Sequence, residues 1–165
     1  MLATVTTARG KALLLAATFG LMFHAHTAAA EGQTLHAKLV TQQVGVPSEL
    51  PEIGGHKVFA GQFTGVATFE DGRIAYKRFV VMSDDTAEAG SLKGYSTYTF
   101  VDGDALTLSF TGSWDGNGMR GDYTVISGTG KFVGVTGTGS FKTLKEPWDD
   151  ARLWDVSLKL TPATQ

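Results

Sequence analysis

The 165-residue chain contains no cysteine. That excludes a disulfide framework, a thiolate nucleophile and any cysteine-based metal site, so stability must come from packing and a closed hydrogen-bond network. Long hydrophobic runs are also missing. The one extended apolar stretch, Ala12 to Phe23, is shorter than the ~20 residues needed to span a bilayer. Basic charge is scarce: the formal charge is −2, and it becomes −4 without the N-terminal Arg9 and Lys11. A nucleic-acid partner wants a basic face, so none is expected. Phosphate-gripping loops are absent too, although "ISGTGKFVGVTGTGSF" (Ile126–Phe141) carries five glycines, Gly128, Gly130, Gly134, Gly137 and Gly139. A dinucleotide fingerprint starting at Gly128 needs glycine where Val133 stands. A P-loop ending at Gly130-Lys131 needs glycine at Val125 and Ser or Thr at Phe132. The residues that follow are β-branched, glycine-rich and include Pro147, so no phosphate-facing helix opens there. Glycines in such an apolar, alternating run predict a bulge, a tight barrel corner or a close backbone approach.

The usual signatures of hydrolysis and metal binding are missing as well. "GYSTY" (Gly94–Tyr98) lacks the second glycine of a G-x-S-x-G elbow. Beyond the N-terminal segment the only histidines are His36 and His56, in no H-x-H or H-E-x-x-H spacing, and both read as surface residues. No metal and no cofactor is expected.

What is present begins with a leader. Arg9 and Lys11 precede the apolar run, and Ala28-Ala29-Ala30 precedes Glu31. This basic, apolar, small-residue layout is that of a secretory signal peptide over residues 1–30, predicting cleavage after Ala30 and a secreted or periplasmic product without a membrane span. Residues 31–165 are long enough for one domain with a real core.

Within that domain, runs of alternating or β-branched residues broken by turn signals predict eight strands. They cover Thr34–Val44, Lys57–Glu70, Arg73–Met82, Lys93–Val101, Ala105–Trp114, Met119–Ser127, Phe132–Lys142 and Leu153–Leu160. "EDGR", "VDGD" and "WDGNGM" are hairpin turns, so sequential strands are antiparallel neighbours. Gly45–Gly55 reads as an irregular loop and Ser83–Ser91 as an acidic surface loop or short helical turn. In "ALTLSFTGSW" Leu106, Leu108 and Phe110 share one face, and in "LWDVSLKL" Trp154, Val156, Leu158 and Leu160 do the same. Alternation alone fits a two-sheet sandwich equally. An eight-stranded antiparallel up-and-down β-barrel hides every edge and is the expected all-β architecture.

The stretch "ISGTGKFVGVTGTGSFK" resembles the signature of the allene oxide cyclase-like barrels, a superfamily that includes the dirigent proteins. Ile126, Gly128, Gly130, Phe132, Gly134, Val135 and Gly137 carry the match in order and spacing. The resemblance implies an eight-stranded calycin-like barrel, often trimeric, with an apolar cavity open at one end. It further implies, if the protein is an enzyme, a cyclase or isomerase that shapes a reactive lipid epoxide or phenoxy radical by confinement.

The residues themselves suggest six candidates for such a site. Glu70 and Asp122 are the catalytic candidates, because a water-excluding interior raises a carboxylic acid's pKa and lets it polarise a substrate oxygen. A turn role for Glu70, and an exposed ion pair between Asp122 and Arg120, are the plainer alternatives. Tyr76, Tyr98, Tyr123 and Arg120 are the ligand-binding candidates, and alternation puts Tyr95 and Tyr98 on opposite faces so that at most one points inward. Two functional classes follow. One is an exported barrel that binds a small hydrophobic or phenolic molecule and steers its cyclisation or isomerisation. The other is a structural or interaction module whose interior is filled by Phe63, Phe69, Phe79, Phe100, Phe110, Phe132, Phe141, Trp114 and Trp154. A cavity of roughly 300 Å³ or more separates them.

Overall fold

The structure is a computed structural model, and it describes residues 32–145 and 148–163. The leader reading of residues 1–30 lies outside the described residues. Eight strands run in chain order: β1 (Gln33–Glu49), β2 (Lys57–Phe69), β3 (Ile74–Asp85), β4 (Gly90–Phe100), β5 (Ala105–Asp115), β6 (Gly118–Gly128), β7 (Thr136–Thr143) and β8 (Arg152–Thr161). Each pairs antiparallel with the next, and β1 closes on β8 from Gln33 opposite Leu160 to Thr41 opposite Arg152. The sheet is therefore a closed up-and-down barrel without a free edge, as the strand pattern and turn signals predict. No helix among the described residues is long and apolar enough to cross a membrane.

The alternation of each strand sorts the two faces. Leu35, Ala37 and Leu39 of β1, Leu106 and Leu108 of β5 and Val156, Leu158 and Leu160 of β8 are buried in the barrel, while their neighbours face out. Aromatic rings fill one end of the interior. Phe69 stacks on Phe100 at 5.4 Å, and Phe100 meets Phe132 at 5.0 Å between ring centroids. The cations of Arg73 and Lys131 lie over these rings from outside.

Phe132 reaches that end through a departure from the expected strand. Gly130–Phe132 form a single 3₁₀ turn, and β7 begins only at Thr136. Gly130 (φ 56°) and Gly134 (φ 73°) hold the left-handed conformation on either side of Phe132, which L side chains rarely adopt. The glycine segment thus folds a phenylalanine plug into the closed end of the barrel.

Two expected loops are shorter than predicted. β1 continues through Val46 and Pro47 to Glu49, with a register shift between Val44 and Ser48 that absorbs the proline without a ladder hydrogen bond. β3 and β4 extend to Asp85 and from Gly90, leaving a tight turn in which Thr86 N–H donates to the Ala89 carbonyl at 2.8 Å. No helical turn forms there.

The outer surface is chemically uneven. On β1–β4 it presents Val40, Val66, Tyr76, Val80, Met82 and Tyr95, whereas on β5–β8 it presents Thr111, Asp122, Ser140, Lys142, Ser157 and Lys159.

Candidate functional site

The interior is not uniformly filled. Beyond the aromatic plug, toward the end formed by the β7–β8 connection, lies a cavity of about 620 Å³. Leu39, Val81, Leu92, Phe110, Phe141 and Trp154 form much of its apolar wall, and Asp149, Asp150 and Arg152 stand at its rim. This volume exceeds the roughly 300 Å³ below which a barrel of this kind would count as packed. Phe63 and Phe79 stack at 4.9 Å along one side, and Trp154 donates its indole N–H to Thr41 Oγ1 at 2.8 Å, which fixes the ring against the wall. Space for these rings comes from inward-facing glycines. Gly112 and Gly121 are opposite each other on β5 and β6, and the Phe141 ring lies over both.

The polar group of the cavity is Lys77. It follows Ala75 and precedes Phe79 and Val81 on the inward face of β3, with Gly65 of β2 and Tyr98 of β4 on either side in register. Its side chain is only 2% exposed. The nitrogen reaches across the barrel to Tyr98 Oη at 3.0 Å and Tyr123 Oη at 2.5 Å, and lies 4.6 Å from the centroids of both rings. Desolvation disfavours the ammonium form and pulls the Lys77 pKa down to about 7. Burial pushes both phenols up for the same reason, so they remain hydroxyls. Lys77 and Tyr123 line the cavity, while Tyr98 supports the lysine from the side of the Phe69–Phe100 plug. Chemically this is an amine that gives up its proton near pH 7, flanked by two hydroxyl groups in an apolar chamber.

Of the six residues singled out from the sequence, the structure brings two into this cluster, Tyr98 and Tyr123. Tyr95 is exposed, on the face opposite Tyr98. Tyr76 faces outward on β3, where it bonds Thr64 Oγ1. Glu70 is exposed in the turn after β2, and its N–H donates to the His36 carbonyl at 2.9 Å. Asp122 and Arg120 both face outward on β6, and the expected pair between them gives way to another. Arg120 forks onto Asp115 at 2.6 and 3.1 Å, holding that carboxyl at about 2. A hairpin turn brings Asp115 beside Arg120 more closely than two-residue spacing along one strand brings Asp122. The outward faces of the barrel keep these four side chains from its interior. His56 is exposed and bonds Asp84 at 2.7 Å.

Lys77 was not evident from the sequence, because lysine is almost never buried and "AYKRF" offers Arg78 and Tyr76 beside it. The available signal was phase: Ala75, Phe79 and Val81 fall on the same face as Lys77 and are apolar.

No family model matches the chain, and no curated protein matches it. Solved structures do. The chain is similar to two pterocarpan synthase dirigent proteins, each at 15% identity. One superposes with a TM-score of 0.58 over 83% of this chain and 99% of the other, and the second with 0.56 over 81% and 92%. A DUF3224 family protein of unknown function from Shewanella oneidensis gives 0.52 at 17% identity, over 81% of this chain and all of that one. The fold of this chain is the dirigent-type β-barrel.

Proposed function

We propose that the barrel binds a small, largely apolar molecule with one oxygen function in its interior cavity, and that confinement there steers the molecule's cyclisation or isomerisation. The observation that carries this reading is the 620 Å³ chamber with a lysine amine and a tyrosine hydroxyl converging in an otherwise apolar wall. Pockets that bind small molecules have this composition: mostly hydrophobic lining and a few polar groups that fix orientation. A hydroxyl, phenol or carbonyl of the ligand would bond to Lys77 and Tyr123, while Phe63, Phe79 and Phe110 hold the remainder. Holding a flexible reactant in one folded conformation is by itself enough to accelerate ring closure. The likeness to pterocarpan synthase dirigent proteins supports the reading at the level of fold. The module with a filled interior is the weaker account, because Phe69, Phe100 and Phe132 close one end of the barrel while Phe63, Phe79, Phe110, Phe141 and Trp154 line a chamber at the other.

Fatty-acid, oxylipin and phenolic probes should bind the purified domain at micromolar affinity or tighter, about −8 kcal/mol, with no added metal or nucleotide. Quenching of Trp154 fluorescence and a thermal shift measure it. Val81→Trp, which fills the chamber, should abolish the binding, and Val80→Thr on the outer face should leave it intact. Silence across the probes, or binding indifferent to Val81→Trp, would leave the filled module as the better account.

Export belongs to the same proposal, and it rests on the leader over residues 1–30. Intact mass of the product recovered outside the cytoplasm should give a chain starting at or within a few residues of Glu31. A product retaining Met1 would overturn it.

A further inference from the structure

Lys77 differs from every other described lysine in the domain. Lys38, Lys57, Lys131 and Lys142 are exposed and paired with Asp155, Glu49, Asp102 and Asp155 respectively, while Lys93, Lys145 and Lys159 are exposed on the surface. Lys77 alone among them presents its nitrogen to an apolar chamber. Its neighbours there are two phenol hydroxyls and three aromatic faces, with Phe79 completing the set at 5.2 Å. Among the described residues no acid pairs with it; the carboxylates lining the chamber, Asp149 and Asp150, belong to the rim.

We propose that Lys77 is a covalent attachment site, at which the amine condenses with the carbonyl of an apolar aldehyde or ketone seated in the cavity to form an imine. The inference rests on the cavity being a ligand site and specifies the chemistry of that ligand. Desolvation of a lysine in a hydrophobic pocket is a general way of making its amine nucleophilic. In the first step the nitrogen lone pair attacks the carbonyl carbon, the C–N bond forms, the C=O π pair moves to oxygen, and a proton passes from nitrogen to that oxygen. In the second step the carbinolamine loses its hydroxyl as water, and the nitrogen lone pair closes the C=N bond. The Tyr123 hydroxyl, 2.5 Å from the amine, donates to the departing oxygen and recovers the proton from the iminium nitrogen. Amine and carbonyl go in; imine and water come out, and no oxidant or reductant is consumed. The aromatic faces around the nitrogen accommodate the transient iminium charge.

The test incubates the purified exported protein with trans-cinnamaldehyde near neutral pH, reduces with sodium borohydride, and maps the adduct by peptide mass spectrometry. Hydride addition to the C=N bond turns an imine into a stable secondary amine at the residue that formed it. One adduct per chain is expected, at Lys77 in preference to the exposed lysines by at least tenfold. Lys77→Met should lose it, and Tyr123→Phe, which keeps the amine, should form it more slowly. Cinnamyl alcohol, which has the same shape but no carbonyl, serves as the binding control in the fluorescence assay. If the alcohol binds and the aldehyde labels only surface lysines, covalent attachment is refuted and the cavity stands as a binding site. If neither compound binds and Lys77 stays unlabelled, both readings fail.

Discussion

Gly121→Val should destabilise the folded domain by roughly 3 kcal/mol or more, because the isopropyl group it adds overpacks the inward face of β6. A Cβ on Gly121 would lie 2.5 Å from the tip of the Phe141 ring and 2.7 Å from Gly112 Cα, and closer still to the carbonyl oxygen of Thr111. The ring can shift, but the carbonyl belongs to the β5–β6 ladder and cannot move without breaking it. Phe141 in turn packs on Tyr123 at 4.8 Å, Phe110 at 5.9 Å and Trp154 at 5.8 Å, so a displaced ring would also distort the cavity wall. Gly116→Val is the control. Nothing lies within 4 Å of the Cβ it would add, and its stability should stay within about 0.5 kcal/mol of the parent. Denaturant melts of the two variants measure the difference. Equal midpoints would show that the barrel does not need its inward glycines to seat the aromatic rings.

Those glycines show how far the fold was legible from residues alone. β5 and β8 alternate so cleanly that their inward residues, Leu106, Leu108, Phe110, Trp154, Val156 and Leu158, follow from the sequence by parity. The Asp-Gly turns marked the hairpins for the same local reason, the tolerance of positive φ. The glycine segment at 126–141 was recognisable as a place where backbone conformation matters, and Gly130 and Gly134 both adopt positive φ. What parity missed was the Phe132 plug, because a 3₁₀ turn of three residues has no period to detect. The prolonged β1 was hidden by Pro47, which local chemistry assigns to a loop and which a register shift accommodates.

The site was less legible, for a reason that lies in the barrel itself. Strand parity gives two faces but not their identity when both carry mixed residues, as in β3, where Tyr76 and Arg78 alternate with Lys77 and Phe79. Inward position was settled by closure of the sheet, a property of all eight strands together. Tyr98 and Tyr123 came into the cluster because their neighbours two residues away are apolar or small; Glu70, Asp122, Arg120 and Tyr76 fell outside it on the opposite parity. The chain therefore conveys a barrel more readily than it conveys which polar residue the barrel encloses.

Replacing that enclosed residue, Lys77→Met, should make the protein more stable than the parent near neutral pH and should erase a distinctive pH dependence. The folded-state pKa of Lys77 is lowered to about 7 from an ordinary 10.5. Between these values the unfolded chain holds a proton that the folded chain has released, so stability rises with pH across the window. Below about 7 both states carry the proton and the full cost of burying the ammonium is felt; above about 10.5 neither does and the cost is gone. The parent should therefore gain on Lys77→Met by about 1.4 kcal/mol per pH unit as pH rises from neutral toward 9.5. Every other ionisable group is common to both proteins and cancels in the difference. Stopping near pH 9.5 keeps the tyrosines protonated in both states, since their ordinary pKa is about 10 and burial raises it further in the fold. Methionine fills the space of the lysine stem, and the two phenols left behind can bond to each other. The measurement is a series of denaturant melts of both proteins from about pH 6.5 to 9.5. Parallel curves would mean that Lys77 holds its proton throughout, as a surface lysine does, and that the chamber is wetter around its nitrogen than the packing of Phe79, Tyr98 and Tyr123 indicates.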